Sequence, residues 1–360
     1  MNILKKIEWD VLTQHINDGL ISANKHPVHD IWILNYTPKT QSGGIWNDYT
    51  MACRGMIVDA DGKILARPFQ KFKNFEEHES SEIDMSLPYV IYEKMDGSLI
   101  IVFYYEEIMQ WVVASRGSFI SEQSVEAKKM LGTKTVKLNT NCTYLFEVIY
   151  PENRICVNYG DRRELVLLSN IITATGEELP HETLERLYSK FFTIVKLVEV
   201  NNIKDLNELK ELDKDNEEGY VIRFANGFRV KVKFAEYVRL HGILTNVSNI
   251  TVWEHMKNNY VFDELLDRVP DEFYNWLKKT ANKIQADFNE IERLAIKEFI
   301  RIYHINEIID RPLFAEQAKL TKYCSILFKV YDRRPYDDII WKQVRPTYSK
   351  PFKDGYEYIG

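Results

Sequence analysis

The segment Lys94-Met95-Asp96-Gly97-Ser98 follows directly after an apolar run at residues 89–92. A lysine that leaves a strand and enters a tight Asp-Gly turn can be held, partly desolvated, against a phosphate. Its amine attacks phosphorus only when neutral, and a free lysine with a pKa of about 10.4 is neutral in about one molecule in a few thousand at pH 7. Burial and nearby cations lower that pKa and make lysine a nucleophile. The alternative is an ordinary hairpin, since Asp-Gly is also a common turn.

Two carboxylates lie where they could assist such chemistry. Glu147 sits inside an apolar strand, and its neighbours point to the opposite face, so it is either solvated or directed inward for function. Glu218 opens another strand and is followed by Gly219, which permits close backbone approach. Two carboxylates near one phosphate would hold Mg²⁺ through water, the usual manner for that ion.

A third pattern is the alternation of cationic and apolar residues at positions 229–234. Period two places Arg229, Lys231 and Lys233 on one face of a strand and three apolar residues on the other. The pattern is typical either of an edge strand with a charged outer face or of a cationic ladder that grips phosphates. Further isolated cations precede or follow other strands: Arg54, Lys71 and Arg116.

The elements that must position these residues are predicted by local patterns. Short β-rich runs separated by turn signals are typical of strands at residues 31–36, 55–58, 63–67, 90–93, 99–105, 110–115, 143–148, 165–171, 219–224 and 228–234. Helices are expected at residues 121–131 and 181–191. Beyond His241-Gly242 the pattern turns helical, with apolar residues at steps of three and four from Ile284 to Ile302 and further helices at 252–260, 271–280 and 315–330.

The predicted architecture is therefore α+β. An N-terminal domain of mainly antiparallel sheets is expected at residues 1–245, and an all-helical C-terminal domain at residues 246–360. The net charge of −6 argues against a protein that coats polyanions, so a nucleic-acid surface would be a local basic patch. The four cysteines show no zinc spacing, no apolar run reaches membrane-spanning length, and we expect reduced thiols in a cytoplasmic protein with no membrane partner.

The order of these motifs resembles the covalent nucleotidyltransferases, the superfamily of polynucleotide ligases and mRNA capping enzymes. Within it, the chain is similar to the bacteriophage-type RNA ligase 1 family over roughly residues 30–245. Two positions depart from the family: Arg116 stands where lysine is frequent, and Lys73 where an aromatic occurs in relatives. The matching segments are Cys53-Arg54-Gly55, Lys71-Phe72-Lys73-Asn74, the run from Lys94 to Leu99, the run from Phe146 to Ile155, the run from Glu218 to Val221, and Lys231-Val232-Lys233 followed by Tyr237 and His241.

The resemblance implies an ATP-dependent reaction. Lys94 would form a lysyl-AMP bond, AMP would pass to an RNA 5′-phosphate, and a 3′-hydroxyl would displace it. Further implied roles are an α-phosphate clamp at Lys231 and Lys233 and a ligation role at Tyr237. The implied ATP-binding residues are Arg54, Lys71, Lys94, Asp96, Gly97, Arg116, Glu147, Glu218, Lys231 and Lys233. The implied holders of Mg²⁺ or Mn²⁺ are Asp96, Glu147 and Glu218, through water, with Asp263 as a loosely aligned further acid.

The implied partners are RNA with 5′-phosphate and 3′-hydroxyl ends, such as nicked tRNA, and a separate end-healing kinase or phosphatase. The helical C-terminal domain would serve RNA specificity. Basic residues interleaved with aromatics near its end would suit that task, and a charged, solvated tail is the alternative. They are Arg333, Arg334, Lys342, Arg345 and Lys350, with Tyr331, Tyr336, Trp341 and Tyr348. One rival is a DNA ligase or a GTP-dependent capping enzyme, which normally appends a small β-barrel where this chain turns helical. Another is an RNA-binding protein without activity, although one chain that keeps the lysine, both acids and the Lys-x-Lys pair argues against it.

Overall fold

The computed structural model describes residues 4–200, 206–212, 214, 216–260, 262, 271–305 and 310–351. The chain forms two compact units, Met1–Arg239 and Leu240–Gly360. The domain boundary near residue 245 stays a prediction, because these units describe packing and not independent folding.

Unit 1 contains the strands and several short helices. Its strands are, in chain order, β1 (Ile21–Lys25), β2 (Ile31–Tyr36), β3 (Arg54–Asp59), β4 (Ile64–Ala66), β5 (Tyr89–Glu93), β6 (Ser98–Tyr105), β7 (Gln110–Ser115), β8 (Cys142–Ile149), β9 (Glu164–Ile172), β10 (Thr193–Ile194), β11 (Gly219–Phe224) and β12 (Arg229–Lys233). Its helices are α1 (Trp9–Asn17), α2 (Pro38–Gly43), α3 (Asp48–Ala52), α4 (Glu122–Leu131), α5 (His181–Tyr188) and α6 (Glu208–Glu211). The division between the units falls within α7 (Ala235–Asn246).

The strands form three sheets. Their orders are β1-β2-β3-β4, β10-β9-β8-β6-β7 and β12-β11-β5. The pairs are antiparallel except for β10 with β9. The first two sheets share an apolar core in which Ile33, Ile57, Ile101 and Leu145 are fully buried. The third sheet is short and joins segments that are far apart in the sequence.

The regular elements described in unit 2 are all helical. They are α8 (Asn249–Lys257), α9 (Asp271–Ile305), α10 (Arg311–Ala318), α11 (Cys324–Tyr331) and α12 (Asp337–Gln343). Buried side chains of α9, α11 and α12, including Ala295, Ile326 and Ile340, form part of its core. The predicted α+β fold class is confirmed: antiparallel sheets come first and a helical region follows. Among the described residues, no helix is long and apolar enough to span a membrane.

Several predicted bounds were wrong. Strands β1 and β10 and helix α1 were not predicted. The two helices expected at 271–280 and around 284–302 are one helix, α9, because neither glycine nor proline interrupts it. The single helix expected at 315–330 is two, α10 and α11, and the hydroxyl of Thr321 donates to the Ala318 carbonyl at 2.9 Å in the intervening turn. Such a bond competes with continued helix.

Candidate active site

The loop that carries Lys94 is clamped on both sides. The backbone N–H of Lys94 donates to the Gly219 carbonyl at 2.9 Å, which ties the end of β5 to β11. At Gly97, an added Cβ would lie 2.6 Å from the Val148 carbonyl oxygen and 3.1 Å from Cγ of Glu147. Only glycine allows this approach to β8, because real Cβ atoms essentially never come within 3.0 Å of another atom. The Asp-Gly turn therefore reverses the chain and also holds the loop close to β8.

Glu218 joins two of the predicted catalytic lysines. Its Oε2 lies 2.6 Å from Nζ of Lys94, and its Oε1 lies 3.0 Å from Nζ of Lys233. The Glu218 side chain is only 4% exposed, whereas those of Lys94 and Lys233 are 20% and 26% exposed. The buried carboxylate thus orients two amines whose outer surfaces remain accessible, and each pair is stronger than one on the open surface.

The backbone of Gly219 makes this arrangement possible. Gly219 has φ +140°, and it pairs with Lys233 in the antiparallel β11–β12 ladder. A Cβ at this position would lie 2.1 Å from the Val232 carbonyl oxygen. Glycine is required both for the left-handed backbone and for the close strand contact. Glu218 therefore lies next to the end of β12.

Glu147 projects from β8 toward the same loop. Its Oε1 accepts a hydrogen bond from the Gly97 N–H at 3.1 Å. Burial raises the pKa of the Glu147 carboxyl to about 8, Lys94 opposes the rise, and Glu218 adds to it. A carboxylate in such surroundings readily takes up a proton or a cation.

The cations opposite these acids have few compensating charges. Burial, together with the nearby charges of Lys71, Lys94, Lys233 and Arg54, lowers the pKa of Lys231 to about 8. Burial also lowers the pKa of Arg54, and its Nη1 atom is buried with no hydrogen-bond partner. Positive groups held so close together are stabilised when an anion binds among them.

Aromatic rings separate several of these cations. Nζ of Lys71 lies 5.6 Å from the ring centre of Tyr36 and 5.1 Å from that of Trp46, while its hydrogen bond to Oε1 of Gln41 measures 3.0 Å. The guanidinium of Arg116 lies 5.7 Å from the Tyr36 ring. Ring faces attract cations and so reduce their mutual repulsion. Tyr36 and Gln41 were not among the predicted site residues.

The Phe72 ring likewise lies beside two cations of the site. Its ring centre lies 5.6 Å from the Arg54 guanidinium and 6.0 Å from Nζ of Lys231. In the sequence, Phe72 stands out only as part of the Lys71–Asn74 segment that matches the family. No local pattern marks this role, because Arg54 and Lys231 are brought to Phe72 from β3 and β12.

Arg229 differs from the other two cations of β12. It lines the cavity with Lys231 and Lys233, but its guanidinium binds both oxygens of Glu178 and lies 4.5 Å from the Phe69 ring centre. Its charge is therefore largely compensated within the protein. Glu178 was not predicted as part of the site, because it lies far from β12 in the sequence.

Asp96 and Tyr237 lie behind the loop. Oδ2 of Asp96 accepts hydrogen bonds from the backbone N–H groups of Cys156 and Val157, each at 2.8 Å. Its Oδ1 accepts from the Tyr237 hydroxyl at 2.7 Å. Asp96 is 4% exposed and does not line the cavity, where a metal-holding or nucleotide-binding acid was expected. Its bonds anchor the loop instead.

The predicted site residues surround a cavity of about 570 Å³, called the central cavity below. Glu218 does not line this cavity, whereas its partners Lys94 and Lys233 do. Asp263 lies outside the described residues. In the described part of the chain, no group of three or more His, Cys, Asp or Glu side chains is arranged to hold a metal ion directly. The predicted residues that line the cavity are Arg54, Lys71, Lys94, Gly97, Arg116, Glu147, Lys231 and Lys233.

The aromatics of the C-terminal segment are mostly engaged in packing. The rings of Trp341 and Phe288 lie 4.7 Å apart, and the Tyr336 hydroxyl donates to Glu292 at 2.9 Å. Tyr348 is 63% exposed, whereas Trp253 is largely buried. The aromatic residues available for contact with nucleic acid are thus fewer than the sequence suggests. The remaining predicted residues of this group are Tyr331, Arg333, Arg334, Lys342, Arg345 and Lys350.

Taken together, the central cavity can bind a polyphosphate next to a lysine amine. The cations can bind phosphate oxygens. The amine of Lys94 lies at the cavity wall and is held there by Glu218, which does not itself line the cavity. This is the arrangement needed for attack by nitrogen on phosphorus, in which positioning and charge stabilisation supply most of the rate.

Comparison with known proteins finds similarity to RNA ligases. The RNA ligase of Rhodothermus phage RM378 is 23% identical over an alignment of 392 residues, which covers 84% of this chain and 85% of that protein. A solved archaeal ATP-dependent RNA ligase has a TM-score of 0.47 at 12% identity, covering 92% of this chain and 97% of the other. An RNA ligase of Naegleria gruberi solved with PPi has a TM-score of 0.36 at 15% identity and covers 43% of this chain, which spans only 51% of that one.

The family comparison covers the part of the chain that builds the cavity. The family model described as RNA ligase matches residues 52–237, more than half of the 360 residues. That stretch runs from just before Arg54 to Tyr237 and so includes the Lys94 loop, both acids and β12. The chain belongs to the RNA ligase family of the bacteriophage RNA ligase 1 type.

Proposed function

We propose that this protein is an ATP-dependent RNA ligase that joins 5′-phosphate and 3′-hydroxyl ends through lysyl-AMP and RNA-adenylate intermediates. Membership of the RNA ligase family supports the reaction class. The observation that carries the mechanism is the position of Lys94, whose Nζ lines a cationic cavity and is held at 2.6 Å by Glu218.

In the first step, the lone pair of Lys94 Nζ forms a bond to the α-phosphorus of ATP. The bond from that phosphorus to the bridging oxygen breaks, and pyrophosphate leaves with the electron pair. Nζ must lose a proton for the attack, and Oε2 of Glu218 lies in position to accept it. The product is a phosphoramidate between Lys94 and AMP.

The cations of the cavity divide between the phosphates. Lys233 and Lys231 bind the α-phosphate, where charge develops as pyrophosphate leaves. Arg54, with its unpartnered Nη1, binds a sugar or outer phosphate oxygen together with Lys71 and Arg116. Arg229 contributes less, because Glu178 already pairs with it.

A divalent cation, Mg²⁺ or Mn²⁺, fits beside Glu147. That carboxylate lines the cavity, and its raised pKa shows surroundings in which a bound cation would replace a proton. When bound, the ion would neutralise phosphate charge. Glu218 is already paired with two lysines, and Asp96 faces away, so Glu147 is the acid that we assign to the ion, through water. Asp263 stays a prediction.

The later steps reuse the same groups. The 5′-phosphate of an RNA strand attacks the phosphorus of lysyl-AMP, and the bond to Nζ breaks. A 3′-hydroxyl then attacks the RNA 5′-phosphorus, a phosphodiester forms and AMP leaves. We propose RNA or tRNA repair as the role, with a separate kinase or phosphatase preparing the ends. In the same proposal, the C-terminal domain at residues 246–360 selects structured RNA.

Intact-protein mass spectrometry after exposure to ATP and Mg²⁺ tests the function. Wild type should gain the mass of one AMP, and Lys94→Ala should gain none. Lys129→Ala, which removes a lysine that is 69% exposed and paired with Glu126, should react like wild type. An adduct on Lys94→Ala would exclude the nucleophile assignment. Labelling by GTP alone, or sealing of DNA ends but not RNA ends, would favour the other nucleotidyltransferases.

A further inference from the structure

A second cavity of about 330 Å³ adjoins the central cavity in unit 1. The two cavities share Phe69, Lys71, Phe72 and Arg229 as lining residues, so the segment around Phe72 separates them. We call it the side cavity. None of the steps proposed above uses it.

A buried histidine lines the side cavity. The His78 side chain is only 7% exposed, and its Nδ1 lies 2.7 Å from Oε2 of Glu82. The hydrogen bond with His78 lowers the pKa of the Glu82 carboxyl, which therefore stays ionised and can only accept. His78 Nδ1 is then the donor, and in the neutral ring Nε2 carries the free lone pair.

In the part of the chain that the structure describes, that lone pair has no partner. Nε2 of His78 is buried and forms no hydrogen bond with the described residues. A buried acceptor without a partner is destabilising, so such groups usually have a ligand or a function. Because His78 lines the side cavity, a ligand bound there can supply the missing donor.

The other lining residues indicate the chemistry of the ligand. Phe72 and Phe228 supply aromatic surface, and the Phe228 ring centre lies 5.3 Å from that of His78. Lys71 and Lys73 supply positive charge. Aromatic faces beside cations are the composition of sites that bind single-stranded RNA, where bases stack and phosphates pair.

We infer that the side cavity binds one nucleotide of the RNA substrate, with Nε2 of His78 accepting a hydrogen bond from its ribose 2′-hydroxyl. The 2′-hydroxyl is the group that distinguishes RNA from DNA, and it supplies the donor that Nε2 lacks. The shared wall places this nucleotide beside the ATP site. The identity of the ligand as RNA rests on the proposed function.

Fluorescence anisotropy with labelled RNA, without ATP, tests the site. The probes are a short RNA with 5′-phosphate and 3′-hydroxyl ends and a set of the same RNAs, each with a single 2′-deoxy nucleotide. Wild type should lose about five- to tenfold in affinity at one position, as expected for one neutral hydrogen bond. His78→Leu should bind the all-ribose RNA weakly by a similar factor and show no penalty at that position.

Two further variants separate the hydrogen bond from general damage. Glu82→Gln retains an acceptor for Nδ1 and should keep the 2′-deoxy penalty. His15→Leu removes a histidine that lines neither cavity and instead stacks on Tyr49 with ring centres 5.4 Å apart, and it should behave like wild type.

Two results would overturn the proposal. The first is equal affinity of wild-type protein for the all-ribose RNA and for every RNA with a single 2′-deoxy nucleotide, a result that can be obtained without any variant. The other is His78→Leu that keeps the same penalty at the same position. AMP attachment to His78→Leu, measured by mass, should match wild type within about twofold. If wild type itself forms no AMP adduct, the proposed function is wrong. The anisotropy measurement uses no ATP, so it still decides whether the side cavity binds RNA.

Discussion

The Nζ atom of Lys94 and the Oε2 atom of Glu218 lie 2.6 Å apart, although 124 positions separate the two residues. The same carboxylate reaches Lys233 on β12. One buried acid thus fixes the proposed nucleophile relative to a proposed phosphate-binding lysine. The geometry depends on the pairing of β11 with both β5 and β12.

Glu218→Ala should lower the rate of AMP attachment by about 100-fold. Without this carboxylate the Lys94 amine is no longer held in place, and a displacement of roughly 1 Å in a reacting group has an effect of that size. The measurement is the rate of mass gain with ATP and Mg²⁺. Glu290→Ala is the matched control, since it removes an acid from an exposed pair with Arg293. Unchanged attachment in Glu218→Ala would mean that Lys94 is positioned without this acid.

Tyr237→Phe should loosen the Lys94 loop, because Tyr237 contacts Asp96 of that loop. The substitution removes the hydroxyl that donates to Asp96 and leaves one buried acceptor with one partner fewer, at about 1–3 kcal/mol of unfolding free energy. We expect AMP attachment to fall by about tenfold, because the loop is less well held. Urea unfolding and the rate of mass gain provide the two measurements.

The control for Tyr237→Phe is Tyr348→Phe, at a tyrosine that is 63% exposed. A variant with full stability and full activity would show that the Asp96–Tyr237 bond does not anchor the loop.

Gly97→Ala should disturb the loop directly. The new Cβ would lie 2.6 Å from the Val148 carbonyl oxygen, which belongs to backbone and cannot move aside cheaply. We expect a loss of about 1–3 kcal/mol in unfolding free energy and at least tenfold slower AMP attachment. Gly242→Ala is the control, because its added Cβ meets nothing within 4 Å. Equal behaviour of the two variants would contradict the close contact.

Glu147 should make stability depend on pH. Its pKa is raised from 4.5 to about 8 in the folded chain, so between these values the folded chain holds a proton that the unfolded chain has released. The free energy of unfolding therefore falls as pH rises through this window, by at most about 1.4 kcal/mol per pH unit. Glu147→Gln removes this contribution, and its stability relative to wild type should rise with pH.

Urea unfolding of both proteins at pH 5.5, 6.5 and 7.5 measures that difference. Glu290→Gln should show a flat difference over the same range, because the pKa of Glu290 is lowered and the group is ionised in both states. A flat difference for Glu147→Gln as well would show that Glu147 titrates normally.

Much of the site could be anticipated because its signals are local. The Asp-Gly turn after an apolar run indicated the Lys94 loop, and period two placed Lys231 and Lys233 on one face of a strand. Both local features are present in the structure, on β5, its following loop and β12. The boundaries of several helices were less well predicted, because turn residues such as Thr321 act through single hydrogen bonds.

The sequence by itself determined which chemical groups are present and which strand face each one occupies, since backbone periodicity and turn chemistry act over a few residues. Only the tertiary structure decided the partners: Glu218 with two lysines, Glu178 with Arg229, and Asp96 with Tyr237. Apart from the Glu218–Lys233 pair on neighbouring strands, these contacts join residues from 51 to 141 positions apart, and all of them form through strand pairing and burial, which no local pattern encodes.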